Sequence, residues 1–592
     1  MFTKFYTSMV KSEEKKNILI VNLTRMGDLL QTTPLIVSLK EKYPLSKITL
    51  LVNKVFSDIC KGFPFIDKIH ILDIPQFKKE IKDPKTSLVK SYRKLEEEIE
   101  DLKRQRFDMI FNPALSKTSA LLTYLLKCPQ VVGFTMDGYG HRLIKNPWMN
   151  YFANKLFNRE YNLFNLVDII LRSAGLNNTP KRLFYHISNK GKKYCREFLR
   201  KNNIKESDFI IGLQPGASKK IRQWPPLYFS KLGSILIKKY NAKLLLFGTP
   251  KEIELGQEIE EKMKKENIVN LIGKTSIDEL AALLTKCNYL VTGDTGTMHL
   301  AASVGTKVIA LFFGSAYCFE TGPYGEGHVV LQSNLPCVPC YQNIECKNPL
   351  CQKTIRPFNV ITGIEFSKRI RVGRTISIDE EEFNGKINIF YSQFDENNFL
   401  EFVPLIKRRL TKKDIYKYCY KEIWQNALNK ELTFPIDINK LSEKINLYFK
   451  INADDKDLLK SLERDIGSFK KLVKLSSEGK KISVVLINLA SSDLKNNLFL
   501  IKDIGKKIER IDQEIIDLGN INTFIKPLTL MFNFGKENLT EKEILPLSRK
   551  TLGLYNALNK ESLLMVELIQ NIFLKILENR EKGTKKILKK VV

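Results

Sequence analysis

At 592 residues, 43% hydrophobic and 27% charged, the chain is long enough for several cores and has the make-up of a folded protein, which excludes fibrous and disordered classes. No apolar run approaches the 18 or more residues of a membrane span, and the N-terminal MFTKFYTSMVKSEEKK lacks the apolar core of a secretory signal, so a cytoplasmic protein is expected. A formal net charge of +31 attracts polyanions such as anionic lipid or a phosphorylated glycolipid, or else reflects solvated lysine faces; no nucleic-acid motif accompanies it, which makes nucleic acid an unlikely partner.

Behind a tail over residues 1–16, Asn17–Asn22 (NILIVN) has the length and apolarity of a buried strand. A short turn, Thr24–Asp28 (TRMGD), leads into a helical pattern over Leu29–Tyr43, and Lys47–Val52 follows as a second strand. Further strands are expected at Ile69–Leu72, Phe107–Asn112 and Val131–Phe134, with a charged helix near Ser91–Arg106 and a helical linker over roughly 150–175. This rhythm is a series of βαβ units and predicts a parallel sheet, here a first Rossmann-like domain over 17–178.

The rhythm restarts at Asp208–Leu213 and continues through strands at Ala242–Phe247, Ile268–Leu271, Tyr289–Thr292 and Lys307–Phe312, giving a second such domain over 179–366. Residues 375–450 mix short helices with aromatic and charged residues. Residues 455–592 carry Leu, Ile, Lys and Glu at helical spacing, so 367–592 is expected to be a mainly helical extension, and no chemical motif is found in it. Its closing stretch, Lys575–Val592, reads as a basic amphipathic tail or a frayed end.

Three loops carry the residue types of a phosphate chemistry, each at the carboxyl end of a strand, where ligands of doubly wound sheets bind. In the first, Thr24–Asp28, backbone N–H groups sit at a helix N-terminus, or Asp28 simply caps the helix behind a tight turn at Gly27. The second, Gln214–Pro225, offers Ser218 and Arg222 to a diphosphate, or is a basic surface loop anchored by Trp224. The third, Thr292–Ala302 (TGDTGTMHLAA), opens a helix with glycines and threonines and forms a nest of N–H groups at its positive end. There Asp294 is expected to cap the helix or order the nest, and His299 to reach a phosphate or pack. Separately, Cys337, Cys340, Cys346 and Cys351 cluster as a structural zinc or iron–sulfur site, or as unliganded thiols.

Taken together, NILIVNLTRMGDLLQTTPLI, QPGASKKIRQWPPLYFSKL, LIGKTSIDELAALLTKCNYLVTGDTGTMHLAASVGTKVIALF and FGSAYCFETGPYG resemble the ADP-heptose–lipopolysaccharide heptosyltransferase family, glycosyltransferase family nine, over roughly residues 16–366. The resemblance implies a GT-B fold, two Rossmann-like domains facing a cleft. It implies inverting sugar transfer without a catalytic metal, with Asp28 as general base, kept ionised by the helix N-terminus. It assigns Ser218 and Arg222 to the donor diphosphate, with Arg222 standing where the family commonly has Lys. Asp294, Thr295, Gly296 and His299 fall on the family's donor-binding DTG-x-x-H motif, Glu252 on the carboxylate that holds the ribose, and Leu271–Gly273 on the adenine-lining segment. The family often carries a similar cysteine cluster. The implied donor is ADP-heptose. The implied acceptor is a lipopolysaccharide-core-type glycolipid or other glycan, with peripheral contact to an anionic surface on the inner face of the inner membrane. A different nucleotide-sugar or acceptor, or an inactive nucleotide-sugar-binding scaffold, remain alternatives, since residues 367–592 are foreign to the plain family plan.

Overall fold

Strand β1 (Asn17–Asn22) is buried from Ile18 onward, because a parallel sheet is covered on both faces and every position along its central strand must be apolar or satisfied. In a computed structural model of the chain, which describes residues 15–82, 88–177, 179–263, 267–341, 345–371, 385–429, 436–452, 455–492 and 494–591, it is an inner strand of a six-stranded sheet. The order is β3-β2-β1-β4-β5-β6, formed by Lys68–Leu72, Lys47–Asn53, β1, Met109–Asn112, Gln130–Met136 and Arg142–Ile144. The pairs from β3 through β5 are parallel. Gly133 is forced by this pairing: its φ is +109°, and a Cβ there would stand 2.0 Å from the Asn112 carbonyl oxygen. Of the expected N-terminal tail, residues 1–14 lie outside the described residues.

A second sheet has the order β14-β13-β12-β11-β10-β7-β8-β9. Its parallel part comprises β7 (Ile210–Gln214), β8 (Lys243–Leu246), β9 (Ile268–Asn270), β10 (Tyr289–Gly293), β11 (Lys307–Phe312) and β12 (Val329–Ser333). Two antiparallel strands, β13 (Ile387–Phe394) and β14 (Leu400–Pro404), complete it. The sheet therefore runs past residue 366, where the helical extension had been expected to begin. The reason is a chain pattern that is hard to see: in INIFYSQF the buried positions Ile387, Ile389, Phe390 and Ser392 keep no strict period of two, so the run does not announce a strand.

The chain divides into two units, one holding the residues up to Leu143 with Phe164–Ile406, the other Ile144–Leu163 with Lys407–Val592. The expected linker over 150–175 is thereby split. Helix Leu166–Ser173 belongs to the first unit through its buried Asp168, which accepts hydrogen bonds from Tyr324 Oη and from the Leu400 backbone N–H, both at 2.9 Å. Burial pushes the Asp168 carboxyl up to about 7. Helix Pro147–Asn154 belongs to the second unit, where Trp148 Nε1 donates to Asn429 Oδ1 at 3.0 Å and Tyr151 lies 5.9 Å from the Trp424 ring.

The second unit is helical, as expected for the extension. Helices Lys456–Ser491, Leu494–Ile521 and Ile544–Val591 pack lengthwise, the first about 54 Å long. Gly479 makes room for Tyr555, whose ring would stand 2.2 Å from a Cβ at that position. Among the described residues, no helix is long and apolar enough to cross a membrane.

Candidate active site

Arg222, Glu252, Asp294 and Ser315 follow four neighbouring strands of the second sheet. Parallel strands deliver their carboxyl ends to one edge, so the loops after β8, β7, β10 and β11 stand side by side. Arg222, in a short 3-10 turn after β7, donates through Nη1 to Asp294 Oδ2 at 3.1 Å and through Nε to Ser315 Oγ at 3.0 Å. Both charged side chains are nearly enclosed, at 12% and 11% exposure, so neither ion is left without its counter-charge.

Asp294 is not the helix cap. Thr295 caps the donor helix Gly296–Ser303, its Oγ1 accepting from the Met298 N–H, and Asp294 faces away toward Arg222. The expectation of a capping aspartate is corrected accordingly: the side chain one residue nearer the helix already satisfies the N–H it would take. Burial raises the Asp294 carboxyl above its ordinary value; Arg222 and the Thr321 hydroxyl oppose this, while Asp28 and Glu320 add to it. Asp28 and Asp294 thus share one electrostatic environment.

The base-loop helix Met26–Gln31 follows β1, and its first turn interlocks with the donor helix. A Cβ on Gly27 would meet His299 Cδ2 at 2.8 Å, and a Cβ on Gly296 would meet Met26 Cε at 2.5 Å. Only residues without side chains permit this approach. Asp28 is the third residue of its helix and accepts from the Arg25 N–H at 3.3 Å, closing the N-terminus as a capping box does. Its carboxyl is raised above the ordinary 3.8 by burial, with the Arg25 N–H and the Thr24 hydroxyl pulling the other way. The helix terminus was expected to settle its ionisation; desolvation outweighs it, because the carboxylate is enclosed on several sides.

His299 is buried, its imidazole pulled down to about 4 by desolvation, so the ring is neutral near pH 7. Its Nδ1 has no hydrogen-bond partner among the described residues. Glu252 accepts from the Thr249 N–H at 2.7 Å and lies against Gly216, where a Cβ would fall 1.6 Å from its Oε1. Gly216 therefore leaves the space that the Glu252 carboxylate fills. Leu271 and Ile272 are buried beside it, and Gly273 turns with a φ of +72°. Ser218 stands exposed on the same loop as Arg222.

Two contributors were not among the expected site residues. Ser315 follows β11 and holds the Arg222 guanidinium; Glu320 adds negative charge behind Asp294. Both lie in FGSAYCFETGPYG, a segment whose position was legible but whose individual roles were not.

The expected metal site at the four cysteines finds no support in the structure. Among the described residues, no three or more His, Cys, Asp or Glu side chains are grouped to hold an ion. Cys337 and Cys346 are exposed while Cys351 is buried and raised, first by desolvation, with Cys337 and Cys346 adding to the rise. The loop is tied instead by backbone, the Cys340 N–H donating to the Gly314 carbonyl at 2.9 Å.

Two Rossmann-like sheets with loops facing a common cleft define the GT-B fold of nucleotide-sugar glycosyltransferases. Residues 96–350 match the family model described as glycosyltransferase family 9 (heptosyltransferase). The lipooligosaccharide heptosyltransferase 2 of Campylobacter jejuni is 27% identical over 346 residues, 57% of this chain and 94% of that protein. The lipopolysaccharide heptosyltransferase 2 of Escherichia coli is 25% identical over 309 residues, 50% of this chain and 82% of that one. A family 9 glycosyl transferase structure from Veillonella parvula superposes with a TM-score of 0.50 at 21% identity, covering 60% of this chain and 97% of that one, and shares the fold. Over residues 96–350 the chain matches glycosyltransferase family 9, and it is a glycosyltransferase enzyme.

Proposed function

We propose that the chain transfers a heptose from an ADP-activated donor to a lipopolysaccharide-core-type glycolipid, with inversion at the anomeric carbon. The observation that carries this reading is the pairing of Arg222 with Asp294 and Ser315 beside the donor-helix N-terminus, across from Asp28. The names of the relatives, lipooligosaccharide and lipopolysaccharide heptosyltransferases, support the choice of sugar and acceptor.

In this mechanism Asp28 takes the proton of an acceptor hydroxyl. The freed oxygen attacks the anomeric carbon, the bond from that carbon to the donor phosphate oxygen breaks, and ADP departs with the electron pair. A raised carboxyl makes Asp28 a better proton acceptor than an ordinary aspartate. Arg222, with its remaining N–H groups, and the unpaired N–H groups of the donor helix's first turn stabilise the departing diphosphate. Asp294 keeps the guanidinium aimed. Ser218 adds a hydroxyl to the diphosphate, Thr295 and Gly296 shape the nest, and neutral His299 supports the base loop and offers Nδ1. Glu252 accepts from ribose hydroxyls, and Leu271–Gly273 line the adenine. Peripheral attachment on the inner face of an anionic membrane belongs to the same reading.

Incubation of the purified chain with ADP-heptose and a heptose-deficient glycolipid tests it. ADP release that depends on acceptor, with a product whose new linkage is opposite in anomeric configuration to the donor by NMR, is expected. Acceptor-dependent release from another nucleotide-sugar only, or retained configuration, would overturn the assignment.

A further inference from the structure

The crossover between β3 and β4 contains two helices that the transfer chemistry does not use. Helix Ile74–Lys82 buries none of its side chains. Helix Leu88–Arg104 carries an apolar stripe at Leu88, Tyr92, Leu95, Ile99 and Leu102, the spacing of one helical face. The C-terminal part of this stripe enters the core, with Leu102 buried beneath β1 and Ile99 packed against it. The N-terminal part does not: Leu88 is 62% and Tyr92 67% exposed, and Val89 and Ile81 are exposed beside them. One continuous apolar face is thus half inside the protein and half in solvent.

Charge divides the same helix. Its exposed apolar half carries Lys90, Arg93 and Lys94, and the neighbouring helix adds Lys78, Lys79 and Lys82, its Glu80 being taken up by Ser91 and Lys94. Its packed half carries Glu96, Glu97, Glu98, Glu100 and Asp101, with Lys103 and Arg104 in the last turn. Cations among exposed apolar side chains, with the anions withdrawn along the helix, match an anionic bilayer: the apolar groups enter the headgroup boundary and the cations meet phosphate. The placement is also apt. The helix ends at the amino edge of the sheet, before β4, so its N-terminal half lies toward the carboxyl edge, where β1 presents the Asp28 loop.

We infer that Ile81, Leu88, Val89 and Tyr92, ringed by Lys82, Lys90 and Arg93, form the surface by which this chain docks on an anionic lipid bilayer. The inference gives a location to the peripheral attachment proposed above and is independent of which sugar is transferred.

Sedimentation of the full-length chain with vesicles of phosphatidylcholine, with and without phosphatidylglycerol, tests it. Wild-type protein pellets with the anionic vesicles and weakly with the neutral ones. Lys82→Gln/Lys90→Gln/Arg93→Gln lowers the anionic partition by about a hundredfold, since each cation at such a surface contributes about fivefold. Leu88→Ser/Tyr92→Ser lowers it on both vesicle types, and a Tyr92→Trp reporter shifts its emission to the blue on binding. Transfer to a detergent-dispersed acceptor stays at the wild-type rate in all of them, which separates failure here from failure of the transfer reading. The inference is overturned if wild-type protein does not pellet with anionic vesicles, if it pellets equally with neutral ones, or if the variants bind as wild-type does. It is also overturned if binding is lost instead in Leu498→Ser/Phe499→Ser, at the exposed apolar end of the helical unit.

Discussion

The two sheets of the first unit are built alike and deployed differently. The first brings one chemical residue to the cleft, Asp28, from the loop after its inner strand β1. The second gathers Arg222, Glu252, Asp294 and Ser315 from four neighbouring strands. On the proposed roles, a base needs one well-placed carboxylate, whereas holding a nucleotide diphosphate takes several groups at fixed separations, which is how the second sheet would use more of its edge. The interlocked glycines Gly27 and Gly296 join the two arrangements.

If that division of labour is right, the largest effect comes from the first sheet. Asp28→Asn is expected to lower kcat by about a thousandfold, within the range of a lost general base, while ADP affinity by calorimetry stays within about twofold. The pH profile sharpens this: because the Asp28 carboxyl is raised, the acidic fall in kcat/KM should lie above the ordinary 3.8.

On the donor side, Arg222→Lys retains charge but loses the fork shared with Asp294 and Ser315. A rise of about tenfold in the Kd for ADP is expected, with kcat also reduced; ADP binding at wild-type strength would place the diphosphate elsewhere. Smaller still is Gly216→Ala, whose methyl displaces the Glu252 carboxylate. A few-fold loss of ADP affinity with an unchanged melting temperature is expected, because the displaced group is the mobile end of a side chain.

The smallest effect concerns the seam between the linker helix and the second sheet. Asp168 has its carboxyl raised to about 7 by burial, so its neutral form is favoured in the folded chain. Its contribution to stability is full below the unfolded value and is lost as pH rises through about 7. Melting temperature should therefore fall from about pH 4 to about pH 7 and level off above that, and Asp168→Asn should flatten that slope by an amount readable in calorimetry.

Much of this comparison could be read from the residues. The run Asn17–Asn22 and the strand Lys307–Phe312 have the bounds expected of them, since unbroken apolar runs flanked by turns leave little choice of register. The loops followed, because they sit where those strands end. What escaped depends on partners far along the chain. Strands β13 and β14 are defined by pairing with β12, not by their own patterning. Helix Pro147–Asn154 leaves the first unit because Trp148 and Tyr151 find partners at Asn429 and Trp424. Asp294 looked like a cap from its spacing, and only Arg222, 72 residues earlier, shows otherwise.

Calorimetric titration of the full-length chain with ADP, GDP, UDP and CMP, at fixed salt and without added metal, tests the donor site most directly. Selective binding of ADP, weakened in Arg222→Lys and retained in Asp28→Asn, is the expected result. Preference for another nucleotide, or no binding to any of the four, would contradict it.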